Sequence, residues 1–140
     1  MAVQFFFLET TITLKERNKL KAFIIELFKK EKKTLGELNY IFCSDKHLLS
    51  INKEFLQHDF YTDILTFDLS ETKKRVDGEI YISLDRVRDN ALVFMSSLNK
   101  EFHRVIFHGA LHLCGYKDKS PKEESAMRSA ENKYLDLYFK

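Results

Sequence analysis

The stretch Phe107-His108-Gly109-Ala110-Leu111-His112-Leu113-Cys114-Gly115-Tyr116-Lys117-Asp118 constrains this chain more than any other, because it reads as the end of a helix followed by a tight turn. A helix advances about 100° per residue, so His108 and His112 lie one turn apart on one face and their imidazoles can converge on a single ion. Gly115 follows His112 by three residues, where a left-handed residue ends a helix and turns the chain back; glycine adopts that conformation without penalty. Asp118 then returns to the same ion.

Two imidazoles and a carboxylate suit a catalytic zinc, since three protein ligands leave one coordination position for water. Bound there, water has its pKa lowered from 15.7 to about 7. The expected cofactor is one zinc ion per chain on His108, His112 and Asp118. Manganese or another divalent cation is the alternative, because a carboxylate oxygen in place of nitrogen suits harder ions. A histidine pair at this spacing is by itself more often a core or surface feature; Gly115 and Asp118 make the pattern specific. Cys114 lies on roughly the opposite side of the helix from His112 and reads as core packing.

His108-Gly109-x-Leu111-His112-Leu113-x-Gly115-Tyr116 resembles the signature HGxLHLxGYDH of the YbeY family, endoribonucleases of bacterial ribosomal RNA maturation. The family's third histidine falls at position 118, where this chain has Asp118, and its aspartate at position 117, where this chain has Lys117. A second stretch, from Ile51 to Phe67, resembles the family segment LNxxYRxxDxPTDVLSF. It matches at Asn52, Phe55, Asp59, Thr62, Asp63, Leu65 and Phe67. The family's arginine position holds Leu56, so another cation must take its place, and His58 is the nearest in sequence. Gly78-Glu79-Ile80-Tyr81-Ile82-Ser83 resembles the family's GDIxIS strand.

The resemblance implies a metal-dependent, single-strand-specific endoribonuclease that matures ribosomal RNA at the 3′ end of the small-subunit RNA and acts in ribosome quality control. It implies the ribosomal small subunit and its assembly factors as partners. Asp63 and Glu79, on strands expected to border the metal cleft, are candidates to orient the attacking water. His58, Tyr116, Lys117 and Lys119 are candidates for holding RNA, the lysines by charge and Tyr116 by stacking a base or by packing beneath the metal.

With 140 residues, 44% of them hydrophobic, the chain reads as one domain over residues 1–140, large enough to bury a core without disulfides. Cys43 and Cys114 are too few for a disulfide framework, which fits a reducing cytoplasm. No apolar run approaches membrane-spanning length, and the first residues lack the charged start of a signal peptide, so a cytoplasmic protein is expected, monomeric or a weak homo-oligomer. A net charge of +2 leaves any RNA-binding surface to a local patch.

In chain order, Val3 to Leu8 reads as a strand, and Thr13 with Glu16 as a capping box opening a helix that runs to about Lys33. Gly36 breaks the pattern before a second strand, Leu38 to Cys43. Strand, helix and strand make a crossover unit with parallel strands. Ser44 or Asp45 caps a second helix. Strands at Ile64–Leu69 and Gly78–Ser83 are joined by too short a link to be parallel. Ser83 caps a helix to about Leu98, Asn99 opens the metal helix, and Ser120, Pro121 and Glu123 start the last helix. The expected class is α+β, with α/β-like character: a mixed four-stranded sheet packed with about five helices, one of them a zincin-like metal helix. Burial of that helix is expected to keep His108 and His112 neutral.

Two other functions share parts of this pattern. His108, His112, Gly115 and Asp118 have the spacing of metzincin zinc proteases, HExxHxxGxxH, but the general base of such enzymes is the glutamate after the first histidine, and Gly109 stands there. The replacements at Asp118 and Leu56 suit a ribosome-assembly factor whose catalytic site has decayed.

Overall fold

Alternation along the first two strands puts Phe5, Phe7, Tyr40 and Phe42 on one face, and an extended aromatic surface of that kind needs a helix laid across it. The computed structural model describes residues 2–8, 14–57 and 62–140. In it β1 (Val3–Phe7), α1 (Arg17–Lys30) and β2 (Leu35–Cys43) form the crossover unit, with β1 and β2 parallel in the register Phe5 to Tyr40 and Phe7 to Phe42. After α2 (Asp45–Leu56) come β3 (Ile64–Asp68) and β4 (Val76–Ser83), paired antiparallel, with β4 parallel to β2. Three helices follow: α3 (Leu84–Val93), α4 (Leu98–Leu113) and α5 (Pro121–Tyr138). The sheet order β1-β2-β4-β3 makes the mixed, four-stranded α+β architecture read from the sequence.

The helix α4 lies across the face bearing Tyr40, Phe42, Ile80 and Ile82, all of them buried. Tyr40 donates its hydroxyl proton to the Ile106 carbonyl at 2.9 Å, which fixes the helix against the sheet without leaving a buried polar group unpaired. Gly109 lets the two approach: a Cβ there would fall 2.9 Å from both Cδ1 and Cγ2 of Ile80. α1 and α5 complete this core with Leu20, Ile24, Phe28, Met127 and Tyr134. The opposite face of the sheet is covered by α2, where Leu48 and Ile51 meet Cys43 and Leu65, flanked by Phe67 and Tyr81.

The serine caps form as their chemistry requires. Ser44, Ser83 and Ser120 each accept a backbone N–H at the start of a helix, and Glu123 closes the capping box on Ser120. Four local expectations are corrected. Thr13 lies outside the described residues, and α1 begins at Arg17 with Glu16 as a left-handed N-cap without a side-chain bond, so Glu16 is not the inner member of a capping box. α1 stops at Lys30, and Lys32, at φ 61°, turns the chain out of it. Gly36 lies inside β2, whose pairing with β4 is irregular between Leu35 and Leu38. Last, α3 ends at Val93 rather than near Leu98, because Met95 takes up a left-handed conformation (φ 53°) and Ser97 caps the following helix through the Lys100 N–H.

Candidate metal centre

The last turns of α4 carry His108 and His112 side by side, their rings 4.8 Å apart and inclined at 81°. Past the helix end, Gly115 adopts φ 110°, and the Tyr116 N–H donates back to the Leu111 carbonyl at 3.0 Å, so the chain reverses as the glycine position required. That reversal carries Asp118 home. Its Oδ2 lies 3.1 Å from His112 Nε2 and 3.4 Å from His108 Nε2.

These spacings test whether the three residues suit a metal. Four donors arranged tetrahedrally at zinc bond lengths stand about 3.3–3.6 Å from one another. The two separations from Asp118 fall close to that edge, and all three donor atoms lie within 4.8 Å of one another. The chemistry of the set agrees, with two imidazole nitrogens and one carboxylate oxygen. His108, His112 and Asp118 could therefore hold a metal ion.

Behind His108 stands a residue that reading the sequence missed. Glu131 of α5 is 5% exposed, and its Oε2 lies 2.6 Å from His108 Nδ1. A carboxylate can only accept, so Nδ1 carries a proton, and in the neutral ring Nε2 keeps the lone pair that a metal ion would take. Arg104 Nη1 donates to the other Glu131 oxygen at 3.1 Å and to Asn132 at 2.9 Å, and Arg104 lies 3.6 Å from the buried Glu101. A signal for Glu131 existed: it interrupts the apolar stripe of Met127, Ala130 and Tyr134, and a carboxylate in a buried stripe needs a partner.

The electrostatics correct one expectation. Burial does oppose a charged imidazole at His108, but the hydrogen bond to Glu131 and the charges of Glu131, Asp63 and Asp118 outweigh it, and the pKa is raised. Both histidines are half-buried at the edge of the helix, and the carboxylates around them make a field that draws in a cation. Glu101 is also raised, by burial against the opposing pull of Arg104 and Arg128.

Two clefts meet at the triad. The first, about 590 Å³, runs past Phe94, Arg104, Arg128 and Glu131; the second, about 510 Å³, runs past Leu56, Thr66 and Asp68. Asp63, His108 and Asp118 line both. Asp63 thus stands at the junction, its carboxylate accepting from Asn90 Nδ2 at 3.1 Å and its carbonyl from the Ser83 N–H at 2.9 Å.

The remaining sequence candidates fall elsewhere. Gly78 and Ile80 meet Leu113 and Gly109 of α4, so Glu79 between them points to the other face of the sheet, where it accepts from the Tyr81 hydroxyl at 3.3 Å. Tyr116 packs against the main core and bonds Glu31, lining neither cleft. Lys117 and Lys119 are exposed on the turn flanking Asp118 and likewise line neither cleft. His58 lies outside the described residues. Leu56, at the position of the family's arginine, borders the second cleft and is 39% exposed.

A family model described as Endoribonuclease YbeY matches residues 7–138. A Cytophaga hutchinsonii protein named Endoribonuclease YbeY is 52% identical over 134 residues, covering 95% of this chain and 94% of its own length. One of the same name from Phocaeicola vulgatus is 54% identical over 105 residues, 75% of each chain. The solution structure of a Thermotoga maritima protein superposes with a TM-score of 0.64 at 30% identity, covering 97% of this chain and 89% of the other.

Proposed function

Because the chain belongs to the YbeY family of endoribonucleases, nucleases that hydrolyse RNA phosphodiester bonds, we propose that residues 1–140 act as one domain cleaving single-stranded RNA with a single zinc ion held by His108, His112 and Asp118. The observation that carries this reading is the convergence of both Nε2 atoms on one oxygen of Asp118, at 3.1 and 3.4 Å, where two clefts meet. When bound there, a divalent ion supplies Lewis-acid polarisation of a phosphoryl oxygen and a water activated at neutral pH.

The protein's own groups do the positioning. Asp63, held by Asn90, orients the attacking water and accepts its proton at a carboxylate oxygen, and Glu131 keeps the His108 ring in one tautomer. A single strand crossing the triad would lie along the two clefts that meet there. Ribosomal RNA, at the 3′ end of the small-subunit species, is the proposed substrate in a cytoplasmic protein that works with the small subunit and its assembly factors. Among the described residues no helix is long and apolar enough to cross a membrane.

The peptidase alternative is disfavoured on steric as well as chemical grounds. A glutamate at position 109 would bring its Cβ to 2.9 Å from Ile80, so restoring the missing base there would force the Ile80 side chain to shift. The decayed-factor alternative rests on Asp118 and Leu56 replacing the family's histidine and arginine, and the 3.1 Å approach of Asp118 to His112 favours its keeping a ligand's role.

Incubation of zinc-supplemented protein with labelled single-stranded and duplex oligoribonucleotides tests the proposal. Cleavage confined to the single strand and lost in His108→Ala supports it. Intact RNA with the wild-type protein, alongside normal binding to small subunits, would favour the assembly factor.

A further inference from the structure

An RNA strand crossing the triad has to be gripped by something beyond the reacting phosphate, and the two clefts differ in what they offer. Among its described lining residues the second cleft has no lysine or arginine. The first has two arginines. The side chain of Arg104 is 15% exposed and is held by Glu101, Glu131 and Asn132, so it serves the protein interior. Arg128 is different: half of its side chain is exposed, and its closest carboxylate contact is a long one, 3.5 Å to Glu131.

Beside Arg128 is Phe94, the C-cap residue that follows α3. Phe94 is 58% exposed while lining the same cleft as His108 and Asp118, so its ring is open to a ligand lying there. The guanidinium of Arg128 lies 5.7 Å from the centre of its ring, within the range of a cation–π contact. The backbone that carries the ring is fixed at the helix end, where the Phe94 N–H donates to the Asn90 carbonyl at 2.9 Å, and Asn90 is the residue that holds Asp63. The stacking surface is thus tied to the same helix end as the junction of the clefts. An exposed aromatic face next to an accessible guanidinium is the pairing by which single-stranded nucleic acids are bound without reading their sequence: the ring stacks a base and the cation meets its phosphate.

We propose that Phe94 and Arg128 form a nucleotide-binding subsite in the first cleft, stacking one base of the substrate and neutralising one of its phosphates beside the triad. This rests on the nuclease reading, and it predicts broad tolerance for the base, since every base offers a π face.

The test uses a short single-stranded oligoribonucleotide carrying 2-aminopurine, whose fluorescence is quenched by stacking, titrated against the full-length zinc-supplemented protein. The variants are Phe94→Ala, Phe94→Leu, Phe94→Tyr and Arg128→Gln, with Met95→Ala as the control; Met95 is 95% exposed and lines neither cleft. Phe94→Ala and Phe94→Leu should weaken binding about tenfold and remove the quench, while Phe94→Tyr and Met95→Ala behave as wild type. Arg128→Gln should lower the slope of log affinity against log salt by about 0.7. In cleavage assays the loss in Phe94→Ala should appear as a raised KM with kcat unchanged within about twofold. Wild-type affinity and quench in Phe94→Ala, or no quench with the wild-type protein, overturns the subsite. Binding and quench as described, with no cleavage by the wild type, overturns the nuclease reading and leaves the subsite standing.

Discussion

Glu131 of α5 and His108 of α4 are joined by a hydrogen bond of 2.6 Å between residues 23 positions apart, and the carboxylate that makes it is 5% exposed. The bond fixes the ring that faces Asp118, so it links the packing of the last helix to the geometry of the metal site. Replacing the carboxylate by an amide keeps the shape and removes the charge. Glu131→Gln should lower zinc affinity about 10–100-fold, the usual effect of losing a carboxylate behind a histidine ligand. Competition with a fluorescent chelator measures it, and an affinity unchanged within twofold would show that the bond is structural only.

The same bond gives the metal-free protein a pH dependence. His108 has a raised pKa in the folded state, so the stability it contributes is fully present below the unfolded value of about 6.5 and is lost as pH rises through the higher folded value. Denaturant midpoints of the metal-free protein between about pH 5.5 and 8 should therefore fall on the alkaline side, and the fall should be smaller in Glu131→Gln. Zinc binding should show the opposite trend, strengthening as pH rises and the competing proton leaves.

Gly109 has a packing role that can be measured directly. An added methyl would meet Ile80 at 2.9 Å and Ile64 at 3.0 Å. Overpacking of this kind costs about 2 kcal/mol, and alanine recovers about 1 kcal/mol of helix propensity, so Gly109→Ala should destabilise by about 1 kcal/mol in urea unfolding. A stabilised variant would mean that α4 and the sheet are further apart than described.

Cys114 caps α4 next to the site, and burial, with Glu31 nearby, pushes its thiol up to about 12. At pH 8 the thiolate fraction is then on the order of a thousandfold below that of an ordinary cysteine. Native protein should react correspondingly slowly with a thiol-specific disulfide reagent and show both cysteines only after denaturation. Rapid labelling at Cys114 in the native state would contradict its place in the core.

Much of this architecture was legible because it is set by local chemistry. Ser44, Ser83 and Ser120 cap helices through their own side chains, and Gly115 turns the chain at the spacing from His112 that returns Asp118. The boundary between α3 and α4 was not legible, since Leu92, Val93, Phe94 and Met95 form an apolar run resembling a continuing helix and only the folded chain reveals them as exposed. Glu79 shows a different limit: alternation says that it and Ile80 face opposite ways, but which face meets α4 is decided by packing. Glu131 and Arg104 belong to the site through contacts between helices, and spacing within one helix carries no information about those.

The most direct test of the metal centre is the zinc content, by inductively coupled plasma mass spectrometry, of protein loaded with excess zinc and desalted, for the wild type, His112→Ala and Asp118→Ala, with single-strand cleavage followed on the same samples. A site built from His108, His112 and Asp118 should hold close to one zinc per wild-type chain, and both metal and cleavage should be lost in the two variants. A wild-type chain that retains no zinc, or an Asp118→Ala chain that keeps full occupancy and activity, would contradict that assignment.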